Sequence, residues 1–308
     1  MPEALPVLLI QSAAAAVLAA ALVRLWKVTD PLERLRFWLL ALVLPPVLGP
    51  VLSSAAVFRD GPAFREHLAL VDASRFRDLS VLGVPVDLLA VGVAALAGVA
   101  LFLRDFLPLL ARRADAGVPA ASPGAERLVG ARVAAHAARF GFAAPDVVVT
   151  GEDDPHLHCR GLRQPTVVVS EGALRMLSPG ELDAALAHEV AHAAWRHVLL
   201  GWVLMAARAL VVWNPVAQVL GRTAVLELER AADDAAIGAT GRPEDLATAL
   251  AKLEGVTLGR DLPGTTRPAA AHGRLSRLSG ELPAASPLRG LRVSLVGAAI
   301  AALVFFVV

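Results

Sequence analysis

The sequence predicts an α-helical integral membrane protein that carries one α+β domain between its membrane helices. Three observations predict it. Long uncharged apolar runs lie near both ends of the chain, two short β-branched runs lie in its middle, and a strongly signalled helix start precedes a pair of closely spaced histidines. Apolar residues make up 56% of the chain and the mean hydropathy is +0.60. Soluble chains hold roughly 45–50% apolar residues, so the excess needs a non-aqueous environment.

Residues 4–23, 37–58, 88–103 and 293–308 carry no charge. A helix needs about 20 apolar residues to cross a bilayer core. The first two runs reach that length, the third reaches it with residues 84–87, and the last is slightly short, which Arg292 can offset by snorkelling. The first run has no basic residue before it and is too long for a cleaved leader, so it reads as a retained span. The resulting domains are three transmembrane helices in 1–105, a middle segment over 106–290, and a C-terminal transmembrane helix over 291–308. Pro45, Pro46, Gly49 and Pro50 predict a kink or break inside the second span.

Arg24, Lys27, Arg34 and Arg36 follow the first span, and Arg104, Arg112 and Arg113 follow the third. Basic loops stay in the cytoplasm, so the middle segment is expected there and loop 59–80 outside, in a multi-pass protein of the cell membrane. Trp26 and Trp38 flank the first basic loop, where interfacial aromatics belong. The single cysteine, Cys159, allows no internal disulfide and suits a reducing compartment. A net charge of +1 shows no nucleic-acid footprint, so the expected surroundings are the lipid bilayer and no nucleic acid.

In the middle segment, residues 117–124 read as a linker. Ser122 and Pro123 open a helix that stops at Gly141. Residues 146–150 and 166–170 read as strands, with a polar loop holding His156 and His158 between them. The second strand is expected to be an edge strand able to bind a substrate backbone. Ser178-Pro179-Gly180-Glu181 is a capping box with a proline in the first helical turn. An apolar helix within 198–220 is expected to insert in the membrane or lie along it. Its run over 198–212 is stopped by Asn214-Pro215. Trp195, Trp202 and Trp213 share a face if the preceding helix continues through them, which favours an interfacial lie. Helices follow over 222–237 and 243–258, then a loop-rich stretch to 287.

His188-Glu189-Val190-Ala191-His192 places two imidazoles one turn apart, where both can reach a zinc ion. Glu189 points toward a metal-bound water and is the candidate general base. A third ligand is needed, and Glu229 supplies it, with Asp233 one turn on to orient a liganding imidazole. Glu227 is a rival ligand but has no acidic partner four residues later. His156, His158 and Cys159 read as loop residues near the substrate strand rather than a second metal site, and His197 reads as a helix-end histidine pointing off the ligand face.

These motifs resemble the BlaR/MecR-type membrane-bound gluzincin metallopeptidases. The resemblance also takes in residues 161–165 before a valine-rich strand, the segment 177–182, and Trp213-Asn214-Pro215. It implies an α+β gluzincin (zincin-like) metalloprotease domain, one zinc ion held by His188, His192 and Glu229, and endopeptidase activity in regulated cleavage. Implied partners are a protein or peptide substrate such as a transcriptional repressor, and a homodimer or separate sensor subunit. The family's receptors continue into a large sensor beyond the last span, where this sequence ends, which points away from a direct β-lactam receptor. The related HtpX and CAAX-protease family shares H-E-x-x-H and E-x-x-x-D and implies membrane-protein quality control instead. A non-catalytic membrane scaffold is the reading of another class. Gluzincins commonly add an oxyanion donor, often tyrosine or histidine. The chain has no tyrosine, so the resemblance implies a histidine, an arginine or a backbone amide, with His272 first among His272, Arg274 and Arg277, which otherwise read as solvated charges.

Overall fold

The computed structural model describes residues 4–72, 80, 81, 83–111, 123–258 and 286–308. His272, Arg274 and Arg277 fall outside them. The chain divides into two compact units: residues 1–107, 205–227 and 283–308 form one, and 108–204 with 228–282 form the other.

In the first unit α1 (Ala4–Leu25), α2 (Pro31–Ala55), α4 (Val86–Ala111) and α11 (Arg289–Phe306) are the helices long and apolar enough to cross a membrane among the described residues. They are the four runs the sequence marks. α2 stays one helix through Pro45, Pro46 and Pro50, so of the expected kink or break the break does not occur. Three prolines remove three backbone donors, but α2 packs along both α1 and α11, and packed neighbours let membrane helices carry proline. Gly49 is what permits the close approach: a Cβ there would sit 2.8 Å from Gln11 Oε1. Gln11 Nε2 in turn donates to the carbonyls of Val304 (3.2 Å) and Val307 (2.9 Å) at the end of α11.

That end would otherwise expose unpaired carbonyls. A 3₁₀ turn, Val57–Asp60, places Arg59 to cap it, with Nε donating to Phe305 O at 2.9 Å and Nη2 to Val304 O at 3.0 Å. After α3 (Pro62–His67), Leu70 N and Val71 O pair with Phe306 and Val308. A two-stranded hairpin, β1 (Ser80–Val81) with β2 (Val84–Pro85), leads into α4.

The stretch 198–220 holds parts of two helices, divided at the Asn214-Pro215 stop that the sequence marks. α8 (His197–Leu210) ends before Asn214, whose Oδ1 accepts from Val216 N (3.0 Å) and Ala217 N (3.3 Å) to cap α9 (Pro215–Thr240). The Trp195–Trp202–Trp213 face therefore does not exist as one helix surface. Within the first unit Asp105 pairs with Arg208 and Arg222, and Arg208 Nε donates to the fully buried Gln218 at 3.0 Å.

The second unit holds a three-stranded sheet in the order β3 (Asp146–Thr150), β5 (Thr166–Ser170), β4 (Leu157–Arg160), with β3 parallel and β4 antiparallel to β5. The expected edge strand is thus central. Its Val167, Val168 and Val169 are fully buried, which suits a strand paired on both sides. The edges are β3 and β4, and the Leu-His-Cys-Arg sequence of β4 carries no β-branched residue. α5 (Pro123–Arg139) covers the sheet, and Gly141 ends it in left-handed backbone at φ 66°.

α6 (Glu171–Met176) is capped by Ser170, and α7 (Pro179–Ala194) by Ser178 in a complete capping box. On α7, Leu182, Ala185, Leu186 and Val190 join the sheet core, while Ala184 and Ala187 pack with Ala236, Ile237 of α9 and Leu246 of α10 (Pro243–Leu258). Glu181 holds the box from the N3 position and binds Lys252 Nζ at 2.7 Å. Burial opposes its charge, but Lys252 and the Ser178 amide outweigh that and hold the carboxyl below its ordinary value. A lowered pKa adds stability above the ordinary glutamate range and loses it as pH falls through the lowered value. Thermal unfolding should therefore show a drop as pH falls below the ordinary glutamate range that Glu181→Gln flattens, and an unflattened profile would discount this contact.

Candidate metal centre

Two faces of α7 are consumed by packing, and the third presents His188 and His192. α9 supplies the facing carboxylate. His188 Nε2 and His192 Nε2 lie 3.1 Å apart, and Glu229 is 3.7 Å from each. All three ligand atoms fall within 4.8 Å of one another. Tetrahedral zinc with bonds of ~2.0–2.1 Å spaces its ligand atoms by about 3.3 Å, so the set fits one zinc ion and leaves a fourth position for water or substrate.

Asp233, one turn beyond Glu229 and 1% exposed, sits 3.0 Å from His188 Nδ1. The contact is at ion-pair distance rather than an aligned hydrogen bond. Its placement suits a group that fixes the proton on Nδ1 and leaves Nε2 for the metal. Burial works against charge on His188, yet Asp233 and Glu229 override it and push its imidazole up to about 10. The same negative field favours a divalent cation.

Glu189 is outside the ligand set. Its Oε2 accepts the backbone N–H of Cys159 at 2.7 Å, an amide on the free edge of β4. Burial, with Glu189's charge behind it, pushes the Cys159 thiol up to about 12, and its sulfur is not among the converging ligand atoms. His156 is tied by its backbone N–H to Ser170 Oγ at 2.9 Å, and its ring lies by Glu152. The structure thus gathers His188, Glu189, His192, Glu229 and Asp233. Glu227, fully buried, pairs instead with Arg34 at 3.0 Å.

Two features escaped the sequence. The Cys159 amide meets Glu189 only because β4 is a strand. His197, expected to point away, has its Nδ1 3.0 Å from His192 Nδ1, because Arg196 takes left-handed backbone at φ 53° and ends α7. Nothing in Trp195-Arg196 announces a break, since neither residue is a usual helix terminator. Burial pushes His197 down to about 4, so its ring is neutral.

The family model described as Peptidase family M48 matches residues 125–294, which span every one of these residues. The chain belongs to peptidase family M48. Among curated family M48 relatives, a protein named Protease HtpX homolog from Pelotomaculum thermopropionicum is 30% identical, with the match covering 44% of this chain and 60% of the relative. Protease HtpX homologs from Gemmatimonas aurantiaca and Thermococcus sibiricus are each 28% identical, over 43% of this chain and 58% of theirs. The chain therefore spans about three fifths of these relatives' length. No solved structure matches significantly.

Family M48 membership narrows the expected BlaR/MecR resemblance to what the two share, a gluzincin metallopeptidase in an apolar, helix-rich chain. The segments that suggested BlaR/MecR have local explanations. Gly161 makes a turn at φ 93° where a Cβ would lie 2.1 Å from Gln164 O, and Asn214-Pro215 is a helix cap.

Proposed function

We propose that the chain is a membrane-embedded zinc endopeptidase of the HtpX-like kind, which cleaves membrane proteins or proteins presented at the membrane. The observation that carries this is the convergence of His188 Nε2, His192 Nε2 and a Glu229 oxygen within 4.8 Å, with Glu189 next to the set. Zinc held there supplies a polarised carbonyl and an acidified water. Glu189 accepts the proton of the attacking water and passes it to the leaving amine, while the Cys159 N–H holds the carboxylate's other oxygen in place. Asp233 keeps His188 in the ligating tautomer. Zinc analysis together with hydrolysis of an unfolded membrane-protein substrate tests the reading, and a purified chain that binds zinc yet cuts no such protein would limit it to metal binding.

The domain assignment goes with this reading: spans within 1–105 and 291–308, and a peptidase segment over 106–290 on the cytoplasmic side. Its support is the four apolar helices and the basic residues flanking the first and third. In a Cys159→Ser background, a cysteine at Ala120 should resist an impermeant thiol reagent in intact cells and react after lysis. Labelling of intact cells would reverse the orientation.

A further inference from the structure

α7 ends at Ala194, Trp195 closes it, and α8 begins at His197 after a bend of 58°. The turn is made by Arg196 at φ 53°, left-handed backbone that residues other than glycine seldom adopt. In a straight helix, residues five apart point roughly 140° away from each other. The bend instead returns His197, 5% exposed, to the ring of His192. The ring centroids are 4.9 Å apart at an interplanar angle of 79°, and the two Nδ1 atoms are 3.0 Å apart.

His192 turns its Nε2 into the ligand set. A histidine that ligates through Nε2 carries its proton on Nδ1, and that N–H needs an acceptor. We infer that His197 is the positioning residue for His192: its Nδ1 accepts the hydrogen bond donated by His192 Nδ1–H and fixes the ring in its metal-binding orientation. His197 then carries its own proton on Nε2. Each liganding imidazole has its own support, a carboxylate behind His188 and an imidazole behind His192. The second support restrains the ring without adding another negative charge to a site that already holds Glu189, Glu229 and Asp233.

This inference rests on the zinc reading, and the experiment separates the two. Zinc affinity is measured by chelator competition on the full-length protein in detergent, for wild type, His197→Leu, His197→Asn and His197→Gln. The asparagine carbonyl falls near the position of a histidine Nδ1, whereas the glutamine carbonyl reaches toward Nε2. His197→Leu and His197→Gln should bind zinc about 10–100-fold more weakly, and His197→Asn should stay within a few-fold of wild type. Cobalt-substituted His197→Gln should show shifted visible bands, with His197→Asn resembling wild type. Wild-type affinity in His197→Gln, or equal weakening in His197→Asn and His197→Gln, overturns the role of the Nδ1 acceptor. A wild-type protein that takes up no zinc overturns the metal reading and this inference with it.

Discussion

Glu189→Gln should bind one zinc ion per chain and hydrolyse protein substrate at least about 10²-fold more slowly than wild type, within the ~10²–10⁴ range for loss of a general base. Zinc uptake is spared because Glu189 is not among the three converging ligand atoms. Geometry is spared as well: a glutamine oxygen can still accept the Cys159 N–H that Glu189 Oε2 accepts at 2.7 Å. Only basicity is lost, since a neutral amide cannot take a proton from water. Single-turnover assays beside elemental analysis read both quantities on the same sample. Turnover near the wild-type rate would mean that another group activates the water.

Glu229→Ala and Glu227→Ala should fail in opposite ways. The two residues are about 200° apart around α9. Glu229 approaches His188 and His192 at 3.7 Å, so Glu229→Ala should strip the zinc and leave a folded chain. Glu227 is wholly buried against Arg34 at 3.0 Å, so Glu227→Ala should keep the zinc and lower thermal stability. The loss should be less than the ~3–5 kcal/mol of breaking a fully buried pair, because the Arg34 side chain is 28% exposed. Zinc content by emission spectrometry and melting by circular dichroism distinguish the two. Zinc retained by Glu229→Ala, or lost from folded Glu227→Ala, would reassign the third ligand.

The sequence makes legible whatever depends on short spacing. The four apolar runs, the cap at Ser178, the His188–His192 pair and the Glu229–Asp233 pair each follow from one helical turn or one bilayer thickness, and the structure places all of them accordingly. Features set by tertiary contact are not legible. β4 has weak strand residues and forms because the β5 valines offer a second edge. α2 keeps its prolines because two neighbours flank it, and Arg196 turns left-handed without any glycine to signal it. The family was legible only to the level of gluzincin, since H-E-x-x-H and E-x-x-x-D express the needs of the metal rather than a lineage.

The Cys159 thiol, pushed up to about 12 by burial and by Glu189, has a consequence for oxidative chemistry. Peroxides and disulfides attack thiolates, and a thiol so weakly acidic offers almost none at neutral pH. Burial, with the Glu189 carboxylate behind it, therefore quenches the one sulfhydryl of the chain. A strand that would otherwise gather sulfenic acid or glutathione beside the three converging ligand atoms is thereby shielded.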